Sequence, residues 1–359
     1  MISFYKKNII TVFFKNILIV NIFFFSLVII LNILEEITFF KDLNVNLSTP
    51  IFLTLLNIPS VLFEIFPFVF LIGTMSFFIE ILDRNELIIY KSYGLSNLNI
   101  INTIIGTTFL IGILLVLIFY NISSNLKFTY FDIKNGYSKD DKYLAVITAN
   151  GLWIKDQKNG NINIISAEKI SVENLDNVLI TQFDNEFNFI KLIEVKKVNI
   201  KNKTWILERA KITQDNISTI KQESILFKTN FDYKIISTLF SNLSSLDIIK
   251  LYKLKKNYKS MGYSTTEISG HLLYLYSFPF YLSIMVCIAS ILMLNIGHNR
   301  SRIFYLIAGV LISVLIYYMN YIFSLLIESQ KIPFIFSVWF PQFLLLLCCL
   351  FGMVRINER

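Results

Sequence analysis

Few residues in this chain have the types and spacing that enzyme chemistry needs. The sequence has no G-x-x-x-x-G-K-[ST] loop, whose backbone N–H groups and lysine would hold nucleotide phosphates. Its two histidines, His271 and His298, sit near opposite ends of one apolar stretch and therefore cannot form a metal site together. No Ser, His and Asp arrangement with a nucleophile elbow is present either. We therefore expect this chain to have no catalytic residues, no metal site and no cofactor of its own.

The cysteines and the net charge argue against two further classes of protein. Cys287, Cys348 and Cys349 all lie in apolar runs, so no disulfide framework or CxxC metal pair is available, and we interpret them as small core residues. The net charge of +8 would suit a nucleic-acid partner in a soluble protein, yet lysines are interspersed with Asn, Ile and Phe along the whole chain. We therefore predict no nucleic-acid binding.

A short polar segment, residues 81–96, has the pattern of an amphipathic helix. Three of its residues are spaced for one helical face: Leu87, Tyr90 and Lys91. Two acidic residues stand at its start, where the helix dipole favours anions, and a glycine can end it: Asp83, Glu86 and Gly94. Such a helix, presented to the cytoplasm, suits the groove of a partner protein. The alternative on these residues alone is an interfacial helix held only by lipid headgroups.

The elements that must position this helix are membrane spans. The chain is 55% hydrophobic and 16% charged, whereas soluble domains are about 45–50% apolar and about 25% charged. A spanning helix needs about 20 apolar residues. Six stretches meet or nearly meet that length: 16–34, 59–82, 92–126, 268–299, 303–327 and 332–354. We predict an α-helical membrane protein with three helices on each side of a middle region.

The orientation of the spans follows from the lysines and arginines of the short loops, because cytoplasmic loops carry an excess of them. With the N-terminus inside, the cytoplasmic set has nine members: Lys6, Lys7, Lys15, Arg84, Lys91, Arg300, Arg302, Arg355 and Arg359. The short outer loops hold only Lys41 and Lys331. We therefore predict cytoplasmic N- and C-termini and an extracytoplasmic middle region, since long domains translocate largely regardless of their charge.

The middle region has a different composition, because 38 of the 58 charged residues fall between Lys127 and Glu267. Short β-branched or aromatic runs there predict strands of a sandwich or jelly roll: 143–148, 152–154, 162–166, 178–183, 187–195, 204–207 and 224–227. Residues 247–261 have the spacing of a helix. The predicted domains are residues 1–122 with a cytoplasmic helix at about 83–94, the β-rich region 123–263 with its following helix, and residues 264–359.

A charged rim is predicted where the outer side of the bilayer meets the middle region. Glu35, Glu36 and Lys41 lie at the outer end of the first span, and Glu64 lies just inside the second. Ionisable groups at membrane depth usually face a cavity or a polar partner, because lipid cannot solvate them. Glu64 is therefore the candidate for a polar path, whereas Glu35 and Glu36 could simply be solvated at the interface.

At these residues the sequence resembles the LptF/LptG permease family, which exports lipopolysaccharide from the inner membrane. The resemblance begins in the second span with PSVLFEIFP at 59–67 and LIG at 71–73. It continues through 83–96, where Glu86-Leu87 and Gly94-Leu95-Ser96 are similar to the family's coupling helix. GLWIKD at 151–156 and WIL at 205–207 look more like LptG than LptF. Residues 252–262, Pro279 and FSVWFP at 336–341 agree, so the resemblance covers nearly the whole chain.

The resemblance implies a heterodimer of LptF-like and LptG-like chains in the bacterial inner membrane. Its partners would be a dimeric LptB-like ABC ATPase, which binds ATP and Mg, a single-span periplasmic LptC-like protein, and lipopolysaccharide. The ATPase contact would then fall on five residues: Asp83, Arg84, Glu86, Leu87 and Gly94. The lipid path would run along the outer half of the first helix and along the fifth, with candidates Asn32, Glu35, Glu36, Lys41, Glu64, Tyr317 and Tyr321.

One departure from the family concerns the lipid headgroup. Family members can place lysines near the outer end of the first helix, whereas this chain has Asn32, Glu35 and Glu36 there, with Lys41 nearby. The lipid could be less phosphorylated, or a divalent cation could bridge it. The alternative function is a membrane-anchored sensor or assembly factor with a ligand-binding outer β-domain, but the cytoplasmic segments are too short for an output domain.

Overall fold

The computed structural model describes residues 2–41, 43, 45–137, 152–158, 161–171, 174–214, 217–220, 224–233, 236, 242–260, 264–295, 302–328 and 332–357. Within these residues, six helices are long and apolar enough to cross a membrane. The chain divides into two compact units, residues 1–127 with 265–359 and residues 128–264. The predicted fold class is confirmed, because three spans precede and three follow an inserted antiparallel sheet.

The first unit is a bundle of long helices. Its elements are α1 (Ile2–Phe40), α2 (Ser48–Asp83), α3 (Glu86–Ser92), α4 (Asn97–Leu114), α7 (Thr266–Leu294), α8 (Arg302–Glu328) and α9 (Phe334–Asn357). A π-helical turn, Leu115–Phe119, joins α4 to α5 (Tyr120–Tyr137), which runs on into the second unit. Helices α2 and α7 are the most buried and form the centre, whereas α1 and α8 expose most of their apolar side chains.

Glycines let the central helices approach one another closely. A Cβ atom added at Gly112 of α4 would lie 2.8 Å from the Cα of Pro279 in α7, and one at Gly309 of α8 would meet the sulfur of Met75 in α2. Small residues at such crossings are typical of membrane bundles, where close packing replaces the hydrophobic effect as the force between helices. The bundle therefore depends on backbone proximity at these positions.

We predict that Gly112→Ala destabilises the bundle, because its methyl group would meet the backbone of Pro279, which cannot move aside as a side chain can. Overpacking of this kind costs about 1–3 kcal/mol. Gly106→Ala is the matched control, since no atom lies within 4 Å of its added Cβ. Thermal unfolding in detergent should show a lower midpoint for Gly112→Ala alone, and equal midpoints would contradict the packing.

The second unit is built around an eight-stranded antiparallel sheet. Its strands are β1 (Leu152–Lys158), β2 (Asn161–Ser171), β3 (Asn174–Phe183), β4 (Phe189–Asn199), β5 (Thr204–Leu207), β6 (Lys211–Gln214), β7 (Ile217–Ile220) and β8 (Ile225–Lys228). The main path runs β1-β2-β3-β4-β5-β8, and β6 joins β4 to β7. The helix α6 (Ile248–Ser260) follows the sheet.

The core of the sheet comes from alternate strand residues, as expected when one face is buried. Ile165, Ile180 and Val198 are fully buried on neighbouring strands. Trp205 is also fully buried, and its indole N–H donates to the carbonyl of Phe231 (3.0 Å). Within the residues that the structure describes, the predicted runs from 152 to 227 fall on β1–β5 and β8, and the run at 143–148 lies outside them.

Candidate functional site

The segment between α2 and α4 folds as a short helix held between two tight turns. Asn85, which precedes α3, has φ 54°, and Gly94, which follows it, has φ 84°. These left-handed conformations are tolerated best by glycine and asparagine. The side chain of Ser96 then accepts a hydrogen bond from the backbone N–H of Asn99 (3.2 Å) and caps α4. These two turns therefore separate α3 from the membrane helices α2 and α4.

Tyr90 is the side chain by which α3 is anchored. It is only 2% exposed, and its hydroxyl donates to Glu86 Oε2 (2.7 Å) while accepting from Asn8 Nδ2 of α1 (2.9 Å). Burial, reinforced by the hydrogen bond to the Glu86 carboxylate, raises the pKa of Tyr90 to about 12. The hydroxyl therefore keeps its proton, and the bond to Glu86, at any physiological pH.

Glu80, near the end of α2, bonds several polar and charged side chains next to α3. Its Oε1 accepts from Lys15 Nζ of α1 (2.9 Å) and pairs with Arg84 (2.7 Å), and its Oε2 accepts from Asn16 Nδ2 (2.7 Å). The Arg84 guanidinium also lies 3.8 Å from Glu86 Oε1. One carboxylate thus connects α1, α2 and the turn into α3.

Two aromatic contacts reinforce the attachment of α3 to α1. The ring of Tyr5 stacks on that of Tyr93, with centroids 4.7 Å apart, and meets Tyr90 edge-on at 5.9 Å. Stacked and edge-to-face pairs of this kind add about 0.5–1.5 kcal/mol beyond the area they bury. The N-terminal turns of α1 and the helix α3 therefore form one packed group.

The outward surface of α3 is apolar. Ile88 is 63% exposed and Ile89 is 46% exposed, and Leu87 is half-buried beside them. The charged side chains of Asp83, Arg84 and Lys91 are exposed around this pair. An exposed aliphatic patch with a charged rim has the composition of a protein docking surface.

A second group of polar residues lies within the membrane helices. Glu64 of α2 pairs with Lys127 of α5 at 3.5 Å, and the lysine side chain is 11% exposed whereas that of Glu64 is 60% exposed. The hydroxyl of Tyr120 lies 2.9 Å from Nε2 of His271 in α7. Charges at membrane depth are costly unless they are paired or face a cavity. The exposed Glu64 carboxylate and the buried Lys127 side chain are therefore a candidate site for a charged headgroup.

Polar side chains also mark the α1–α2 contact. Asn57 Nδ2 of α2 donates to Asn32 Oδ1 (2.7 Å), and Asn32 Nδ2 donates to the carbonyl of Val28 (3.0 Å). Glu36, one turn further along α1, is almost fully buried, whereas Glu35 is exposed. This pair of asparagines packs next to a small apolar cluster formed by Val28, Ile58 and Leu62.

Aromatic residues line the outer face of α8. The rings of Tyr317 and Tyr321 are nearly parallel, with centroids 6.5 Å apart, and both are about half exposed. Phe68 of α2 lies 5.9 Å from Tyr317. These tyrosines therefore form a surface beside the α2–α8 contact.

A family model described as the lipopolysaccharide export system permease LptF/LptG matches residues 7–355 of the chain. The chain belongs to the LptF/LptG family. It is therefore a multi-pass inner-membrane permease of lipopolysaccharide export, a transport component rather than an enzyme. No curated protein matches the sequence significantly.

In this LptF/LptG permease, the residues predicted for ATPase coupling lie on one continuous segment. The structure brings Arg84 and Glu86 together, and it places Asp83 at the exposed end of α2 and Gly94 in the exposed turn after α3. Sequence reasoning missed Ile88 and Ile89, which provide the exposed apolar surface. It also missed Asn8 and Tyr5, because nothing in their spacing indicates which helix they meet.

The predicted lipid-path residues fall into separate groups within the described part of the permease. Asn32 and Glu36 lie at the α1–α2 contact, Glu64 lies next to α5, and Tyr317 and Tyr321 lie on α8. Lys41 and Glu35 are exposed near the end of α1. Lys127 was missed, although a lysine directly after a charge-free span of 35 residues is the signal that could have indicated it.

Proposed function

We propose that this permease is one subunit of an ATP-driven exporter that extracts lipopolysaccharide from the inner membrane and passes it through the β-sheet unit toward the outer membrane. A separate ABC ATPase of the LptB type binds and hydrolyses ATP with Mg. An LptF-like chain pairs with this LptG-like one, and a single-span LptC-like protein receives the lipid. The observation that carries the proposal is the exposed isoleucine surface of α3.

The ATPase docks on α3 in this proposal. Ile88 and Ile89 present about one helical turn of apolar surface, a size that suits an amphipathic helix seated in a partner's groove. Arg84 is fixed by Glu80, so the charge at the rim of this surface is held in place rather than free to move. A fixed polar rim gives specificity and register to such a contact.

The lipid headgroup meets the Glu64–Lys127 pair in this proposal. The family's lysines near the outer end of the first helix are replaced here by uncharged and acidic residues, so another cation must face the phosphates. The ammonium group of Lys127 lies 3.5 Å from the largely exposed carboxylate of Glu64. Because this contact is long, an incoming phosphate can replace the carboxylate as the partner of Lys127. Tyr317 and Tyr321 supply an aromatic surface suited to the apolar part of the lipid.

The proposed orientation places both termini in the cytoplasm and the β-sheet unit in the periplasm. We expect protease added to spheroplasts to cleave within the second unit, residues 128–264, while a tag after Arg359 stays protected. The physical reason is the excess of lysine and arginine in the loops assigned to the cytoplasm. Cleavage of the C-terminal tag in intact spheroplasts would contradict this orientation.

The test of the proposed function is affinity purification of the tagged permease from detergent-solubilised membranes, with mass spectrometry of proteins and lipids. We expect a second permease of the same family, a soluble ABC ATPase and a glycolipid. The matched control carries Ile88→Asp and Ile89→Asp, which should remove the ATPase while the second permease remains. Recovery of the chain alone, or with a signalling or assembly partner, would contradict the exporter and support the sensor alternative.

A further inference from the structure

The first helix differs from the other five spans in its stiffness. Across its 39 residues, α1 contains neither glycine nor proline. By contrast, α2, α7 and α9 each contain an internal proline, α8 contains Gly309, and the third span contains a π-helical turn. Proline and π-helical turns are where helices kink. Helix α1 is therefore the span best suited to move as a single rigid body.

The two ends of α1 contact the two candidate sites of the permease. Near its start, Asn8 meets Tyr90 of α3, and Lys15 and Asn16 meet Glu80. Near its other end, Asn32 meets Asn57. With a rise of about 1.5 Å per residue, Asn8 and Asn32 are about 36 Å apart along one uninterrupted helix.

Side-chain contacts hold α3 against α1, whereas a backbone turn connects α3 to α4. On the α4 side, the chain passes through Gly94, whose added Cβ would meet no atom within 4 Å, and a backbone hydrogen bond from Leu95 N to the carbonyl of Tyr90 (3.0 Å). On the α1 side, the hydroxyl of Tyr90 is bonded to Asn8, and the ring of Tyr93 is stacked on Tyr5. A displacement of α3 is therefore passed to α1 through side chains, while the glycine turn can absorb it toward α4.

We infer that Tyr90 and Asn8 are positioning residues that transmit the movement of α3 to α1, and that α1 acts as a rigid lever between the ATPase contact and the lipid path. The inference rests on the proposed function, because it takes the ATPase as the source of the movement. It assigns the joint to the Asn8–Tyr90–Glu86 hydrogen bonds. Neither Asn8 nor Tyr90 touches ATP or the lipid in this scheme.

Conservative variants remove the Asn8–Tyr90–Glu86 hydrogen bonds without disrupting the fold. Tyr90→Phe keeps the buried ring and its contact with Tyr5 but removes the hydroxyl that bonds Asn8 and Glu86. Asn8→Ala removes the same bond from the other side. Thr11→Ala is the matched control on the next turn of α1, since the Thr11 hydroxyl bonds only to the carbonyl of Lys7 among the contacts described.

The experiment measures the movement of α1 in the assembled complex. Cysteines 287, 348 and 349 are replaced by serine, and spin labels are attached at Leu31→Cys on α1 and Phe343→Cys on α9, both exposed positions. The distance between the two spin labels is measured by pulsed electron paramagnetic resonance, first without nucleotide and then after the complex has been trapped with ATP and vanadate. We expect the distance between the labels to change on trapping in the parent protein and in Thr11→Ala. In Tyr90→Phe and Asn8→Ala we expect at most half of that change.

The rate of lipid release per ATP hydrolysed provides the second measurement. Loss of a hydrogen bond to a charged group is worth about tenfold or more in an equilibrium, so Tyr90→Phe should lower this ratio at least about tenfold with ATP hydrolysis retained. Unchanged movement of α1 and unchanged lipid release in both Tyr90→Phe and Asn8→Ala would overturn the lever. The absence of any α1 movement in the parent protein would overturn it as well. Failure of the permease to bind an ATPase would instead overturn the proposed function, and the lever with it.

Discussion

Glu86→Lys should abolish ATP-driven lipid release while the permease stays folded in the membrane. A lysine at this position cannot accept the hydrogen bond from Tyr90, and it places a second cation next to Arg84, where the carboxylate now lies 3.8 Å from the guanidinium. Charge-assisted hydrogen bonds contribute about 1.5–3 kcal/mol, so more than about a tenfold loss is expected from the bond alone. The measurement is release of lipopolysaccharide from proteoliposomes that contain the assembled complex.

Two variants control the interpretation of this result. Glu86→Gln keeps the shape and an acceptor oxygen for Tyr90, so it should retain most of the release activity. Lys91→Glu also changes a charge on α3 by two units, but Lys91 is exposed and lies at the other end of the helix, so we expect a smaller effect. Normal release by Glu86→Lys in a monodisperse preparation would count against α3 as the coupling element.

Lys127→Met should lower both the stability and the transport activity of the permease. It leaves the Glu64 carboxylate at membrane depth without the cation that lies 3.5 Å away. Removing one partner of a buried ion pair costs about 3–5 kcal/mol, and because Glu64 is largely exposed we expect a smaller loss of about 2 kcal/mol. Thermal unfolding in detergent and lipid release from proteoliposomes measure the two effects separately.

The double variant Lys127→Met with Glu64→Gln distinguishes a structural ion pair from a headgroup site. With both charges gone, no carboxylate is left at membrane depth without its cation and stability should return, since a neutral pair of similar volume is tolerated. Release should nevertheless stay at least about tenfold low if Lys127 meets the lipid phosphates, because the cation is still missing. Recovery of release together with stability would show that the pair has only a structural role.

The helical spans could be predicted from the sequence because length and apolarity decide them. Their ends could not, since α1 extends to Ile2 and Phe40, well beyond the apolar stretch 16–34. The additional turns contain polar and charged side chains such as Lys15, which bonds Glu80. Tertiary contacts of this kind leave no periodic signal in one sequence.

The sheet shows the same division between what the sequence predicts and what it does not. The strands β2, β3 and β4 were predicted because each contains a run of β-branched or aromatic residues between polar segments. The strands β6 and β7 were missed because each contains only one or two apolar residues, whereas the equally short β5 and β8 contain three. Pairing with β4 and with each other supplies the hydrogen bonds that fix these two strands.

The candidate site was predicted only in part for a related reason. The segment 83–94 was found because its charges and glycine follow helix rules. Tyr90 was placed on the same face as Leu87 and Lys91, yet the structure buries Tyr90 and exposes Lys91, because α1 covers one side of α3. Asn8 and Tyr90 are separated by 82 residues, and only the packing of α1 against α2 brings them together.

The most direct test of the whole account is lipid release from proteoliposomes reconstituted with this permease, its co-purified second permease and the ATPase. We expect release of lipopolysaccharide to an added periplasmic acceptor only when ATP and Mg are present, and loss of that release with Ile88→Asp and Ile89→Asp. Equal release with and without ATP, or unchanged release after both substitutions on α3, would contradict a permease driven through this helix.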